Sequence, residues 1–86
     1  MAQKMKCNLF RNGISSGEFV IEYEDDTLTR GRFGTFSIGS VDGWLPDDQF
    51  ELQPIGGNRI PIIVQRNRPS KKGILVDFCS YLDKWE

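Results

Sequence analysis

Polar and apolar residues alternate along most of this chain, and the dominant period is two. Lys4 to Phe10 sets Met5, Cys7 and Leu9 on one side of an extended segment, which predicts a half-buried strand. Asn12-Gly13 is a strong turn signal, extended by Ser15-Ser16-Gly17. Glu18 to Glu24 alternates most regularly: Phe19, Ile21 and Tyr23 share one face, and Glu18, Val20, Glu22 and Glu24 share the other. That pattern predicts one core face and one solvent face. Asp25-Asp26 turns the chain, and Leu28 to Ile38 returns as a longer strand. A three-residue connection would set Glu22 opposite Arg30 and Phe19 opposite Phe33. Apolar parity shifts between Phe33 and Phe36, which predicts a bulge or sharp bend near Gly34.

The second half is less regular. Asp42-Gly43 is a tight-turn pair, and Pro46 bars a regular central strand over Trp44 to Leu52. Pro46-Asp47-Asp48 would instead begin one helical or 3₁₀ turn, with Trp44, Leu45, Phe50 and Leu52 plugging one end of the fold. Gly56-Gly57 closes that segment. Two apolar runs follow, Ile60 to Val64 and Ile74 to Phe78, joined by a polar loop from Asn67 to Gly73. Both runs carry apolar residues on both parities, as expected of the central hairpin of a sheet. Ser80 would cap a short terminal helix, with Asp83 at capping-box spacing and Tyr81 and Trp85 four apart. Five to six short strands, one bend and a proline-containing turn predict an all-β barrel of SH3-like or OB-like type, with a short C-terminal helical turn. The expected core is Phe19, Ile21, Ile62, Val64, Val76 and Phe78.

Composition narrows the picture without naming a function. With 86 residues, 38% of them hydrophobic, residues 1–86 are expected to form one small domain. No stretch approaches the roughly 20 apolar residues needed to cross a bilayer. The N-terminal segment lacks the apolar core of a secretory signal, so a cytoplasmic protein that does not engage membrane is expected. Cys7 and Cys79 are then read as reduced core thiols rather than a bridge. There is no histidine and no CxxC pair, so neither a metal site nor a cofactor is expected.

The candidate chemistry is thin. Gly31, Gly34 and Gly39 lie inside a strand with no helix after them, unlike a phosphate-binding loop. Ser37 and Ser40 have no histidine to activate them. The groups Glu22, Glu24, Asp25, Asp26 and Asp42, Asp47, Asp48, Glu51 read as solvated turns. Asp77 stands out within the most apolar strand. It either faces solvent or is buried against Arg66 or Arg59, and solvent is the simpler expectation. No catalytic residue is assigned, and the chain is not expected to be an enzyme.

Charge is the one feature above background. Arg59, Arg66, Arg68, Lys71 and Lys72 fall between Asn58 and Gly73 with no acid among them, while Glu18 to Asp26 holds five acids and no base. This basic stretch would contact nucleic-acid phosphates, with Phe33, Phe36 and Trp44 as stacking surfaces wherever exposed. A net charge of −1 weighs against that use. Association with a protein partner, or with a second copy through exposed strand edges, therefore ranks first. Nucleic-acid binding is the alternative, and a small enzyme or ligand-binding protein is third.

Overall fold

Six strands among the described residues close into an antiparallel barrel: β1 (Gln3–Arg11), β2 (Ile14–Asp26), β3 (Gly31–Ile38), β4 (Phe50–Pro54), β5 (Ile60–Ser70) and β6 (Gly73–Tyr81). A 3₁₀ turn, Leu82–Trp85, follows. The structure is a computed structural model that describes residues 2–85. The ring order is β1-β2-β3-β6-β5-β4. It consists of two three-stranded meanders, joined so that first strand meets first strand (β1 with β4) and third meets third (β3 with β6). A ring has no middle, so the β5–β6 hairpin is one wall among several and not the centre of an open sheet.

The alternation read in the sequence fills the interior. Cys7, Leu9, Ile21, Tyr23, Phe36, Phe50, Leu52, Ile62, Val76 and Phe78 form one buried cluster. Phe19 and Val64 pack against it half-buried. Burial pushes the Cys7 thiol up to about 11, only partly offset by the charge of Arg32. Cys79 lies on strand β6, which does not neighbour β1, and both cysteines are free thiols. Arg32 packs between two aromatic rings with its side chain 12% exposed. Its guanidinium lies 4.3 Å from the Tyr23 ring centre and 4.8 Å from that of Trp85, a geometry favoured by the aromatic quadrupole. Trp85 Nε1 donates to Ser80 Oγ at 2.7 Å, so Ser80 anchors the terminal turn through its tryptophan.

Several local expectations need correction. Asn12 (φ 53°) and Gly13 (φ 83°) make a two-residue turn of the I′ kind that suits a hairpin, and Ser15 to Gly17 belong to strand β2. Between β2 and β3 the turn is Thr27 to Arg30, and Arg30 adopts φ 55°. The pairing therefore slides: Glu22 faces Thr35, Glu24 faces Phe33 and Asp25 faces Arg32. A bidentate contact of Arg32 Nε and Nη2 with Asp25, at 2.7 and 2.9 Å, holds this register. Leu28, expected in the strand, is 94% exposed at the turn. Between β5 and β6 the turn is Lys71-Lys72 alone, and Asn67 to Ser70 are paired strand. Pro46 and Asp47 sit in a β-turn closed by Asp48 N–H on the Leu45 carbonyl at 3.1 Å, not in a helix. Leu45 is 59% exposed and plugs nothing, whereas Trp44 packs on Phe50 with ring centres 4.6 Å apart.

Candidate functional site

Strand β5 changes character along its length, and the site follows from that change. Ile60 and Ile62 point inward and pair with Leu52 and Phe50 of β4. The β4–β5 ladder ends there. Past Val64 the register with β6 shifts by one residue, a bulge that leaves Gln65 without a partner across the ladder. Bulges bend the strand that carries them. Beyond the bulge β5 stays with β6, and no described strand lies on its other side.

The space opened there is a cleft of ≈ 540 Å³ between β5 and the 39–49 link. Trp44, Leu45 and Phe50 form one wall, and Ile62 to Asn67 form the other. The link is held in place by Asp48, whose side chain is 4% exposed. Its carboxylate accepts from the Leu45 N–H at 2.7 Å, Arg11 Nε at 2.7 Å and Asn12 Nδ2 at 2.9 Å. The Leu45 amide, then Asn12 and Arg11, hold the Asp48 carboxyl down at about 2. Asn12 also exchanges bonds with Gln49, giving through its N–H and accepting through Oδ1. The β1–β2 turn thus clamps the cleft wall from behind. Sequence reading took Asp48 for a solvated turn residue; the Leu45 amide is a local partner, but Arg11 and Asn12 lie 37 and 36 positions away, and no local pattern marks those contacts.

The five basic residues do not make one patch. Arg59 sits at the start of β5 with its guanidinium 3.9 Å over the Phe10 ring. Arg66 and Arg68 both reach Asp77 across the hairpin: Arg66 Nε lies 2.6 Å from Oδ2 and Arg68 Nη2 lies 3.2 Å from Oδ1. Asp77 faces outward, but the two arginines leave it 13% exposed. Burial would raise its pKa; hydrogen bonds from Arg68 and Arg66 outweigh that and keep it below the usual carboxylate range. Lys71 and Lys72 occupy the hairpin tip and make no ion pair among the described residues.

The three aromatic candidates also separate. Phe36 is core, packed 5.6 Å from Phe19 and 6.0 Å from Phe78 between ring centres, so it offers no stacking surface. Trp44 is half-buried in the cleft wall. Phe33 is 42% exposed in a second groove of ≈ 440 Å³ with Glu22, Glu24, Thr35, Arg66 and Asp77. Gln65 and Arg66 border both grooves. No group of three or more His, Cys, Asp or Glu among the described residues is arranged to hold a metal ion. No helix among them is long and apolar enough to cross a membrane. No known protein family, curated protein or solved structure matches the chain.

Proposed function

We propose that this barrel is a non-enzymatic module that binds another protein, with the cleft beside β5 as its contact site. The observation that carries this reading is the abrupt end of the β4–β5 ladder at Ile62, which leaves a strand edge beside a cleft of mixed apolar and polar lining. Main-chain groups on such an edge are unpaired, and proteins use them for recognition. The neighbouring wall is preset by Asp48, so little ordering cost accompanies binding.

Nucleic-acid binding is weaker on the same residues. Two of its five cations share Asp77, a third is stacked on Phe10, and Phe36 is inside the core. Only Lys71 and Lys72 stand clear, too few for strong phosphate binding at physiological salt. A homodimer built by pairing β5 with its own copy would set Arg66 and Arg68 against like charges. A different protein is the better partner.

The test is selection of a displayed library of random 12-residue peptides on the immobilised barrel, with calorimetry on the winners and a parallel titration of mixed single-stranded oligonucleotides. Peptides that bind in the micromolar range and compete with one another support the reading. A micromolar oligonucleotide complex at physiological salt, with no peptide selected, would reverse it.

A further inference from the structure

We infer that the β5 edge takes an acidic, extended segment of the partner as an added strand, an inference that rests on the protein-binding reading above. Four features of the arm lead there. Ile63 to Ser70 have β6 on one side and no described strand on the other. In an antiparallel ladder alternate residues turn both N–H and C=O away from the bonded neighbour, so this edge carries free donors and acceptors. Pro69 has no N–H, which limits pairing to the stretch before it. The arm keeps a net positive charge: Arg66 and Arg68 share the single carboxylate of Asp77, which neutralises one of them, and Lys71 and Lys72 make no ion pair among the described residues.

Strand geometry then fixes the pattern of the occupant. Side chains of an added strand alternate between the two faces of the sheet. Those on the outer face would lie beside Arg66 and Arg68, where carboxylates are favoured. Those on the inner face would lie over Trp44, Leu45 and Val64, where apolar groups are favoured. The predicted ligand alternates acidic and apolar residues over about six positions. The bulge at Gln65 lies just past the end of the β4–β5 ladder, within the stretch the added strand would pair with.

Fluorescence anisotropy with a labelled ten-residue peptide alternating Glu with Val and Ile tests the inference. Three comparisons matter: a copy with alternate backbone amides N-methylated, a copy with Lys in place of every Glu, and the Lys71→Glu/Lys72→Glu protein. The expected Kd for the acidic peptide is on the order of 10–100 μM in low salt, rising with salt. N-methylation should weaken binding at least about tenfold, because it removes main-chain donors and keeps the side chains. The Lys copy should not bind. Charge reversal at the tip should weaken binding roughly fivefold, with the thermal midpoint unchanged. Equal binding of the N-methylated copy, equal binding of the Lys copy, or no binding of the acidic peptide would each overturn the inference. If display-selected peptides bind in the β5 cleft but the N-methylated copy binds equally, strand addition fails and the protein-binding reading survives; if they bind on the Phe33 side, both the strand addition and the β5 cleft as contact site fail. If sedimentation shows a dimer that the tip reversal abolishes, a second copy occupies the edge and the inference is also overturned.

Discussion

Gly34→Ala separates two physical effects that carry opposite signs. Replacing a strand glycine by alanine ordinarily stabilises by about 0.5–1 kcal/mol, through backbone entropy and propensity. Gly34 is different because of what surrounds it. It pairs with Tyr23 of β2 and Phe78 of β6, and a Cβ there would lie 2.6 Å from the Glu22 carbonyl oxygen and 2.6 Å from Phe78 Cζ. Ordinary contact begins near 3.4 Å, so ring and ladder must each give by about 0.8 Å. The ring is 1% exposed and packed on Phe36, and the carbonyl belongs to the β2 main chain. Overpacking of this kind costs about 1–3 kcal/mol. The net expectation is a loss of roughly 0.5–2 kcal/mol, in a domain whose whole stability is on the order of 4–13 kcal/mol. Urea unfolding followed by tryptophan fluorescence should show a lower midpoint at unchanged slope. Adding Phe78→Leu should recover at least about 0.5 kcal/mol relative to additivity, because it relieves one of the two clashes. A Gly34→Ala protein as stable as the parent, or more so, would refute the packing argument.

Val76 is fully buried, and Val76→Ala should cost about 1–3 kcal/mol, read from the same urea curves. Acid should destabilise the fold through Asp25, Asp48 and Asp77, whose folded pKa values are all lowered. A lowered carboxylate stabilises above its unfolded pKa and loses that contribution as pH falls through its folded one. Thermal midpoints should therefore hold down to roughly pH 4 and drop steeply toward pH 2, and Asp48→Asn should flatten that drop. Asp77→Asn should cost about 1 kcal/mol or less, because its arginine partners are largely exposed. The same change frees Arg66 and Arg68, so salt-dependent oligonucleotide binding should become detectable in the variant and not in the parent.

Much of the barrel was legible because period-two alternation is a local signal. Strands β1 and β2, the apolar cores of β5 and β6 and the terminal turn all follow from residues adjacent in sequence. The bulge or bend expected at Gly34 is absent: both ladders of β3 pass through it in unbroken register, and the parity shift arises because Phe33 faces outward while Phe36 faces the core. Register was not legible. Arg30 takes a left-handed conformation that arginine rarely signals, and that one residue shifts every β2–β3 pair. The polar run Asn67 to Ser70 resembled a loop because its pairing is carried by Arg66, Arg68 and Asp77 rather than by apolar side chains. Asp77 itself was expected to be solvated; its outward parity was right, but two arginines cover it. The candidate site depends on contacts between distant segments, above all Asp48 with Arg11 and Asn12. Ring closure by β1 and β4 likewise depends on a link, 39–49, whose polarity has no period to read.

The central claim is that β5 offers an open edge beside the cleft, and residue-resolved hydrogen exchange tests it directly. In the free protein the amides of Ile60 and Ile62 should exchange slowly, and those facing outward between Val64 and Asn67 should exchange fast. With saturating acidic peptide, protection between Val64 and Asn67 should rise at least about tenfold while the Glu22, Phe33 and Thr35 face stays unchanged. Slow exchange along that edge without ligand, or protection that appears only on the Phe33 face, would contradict the account.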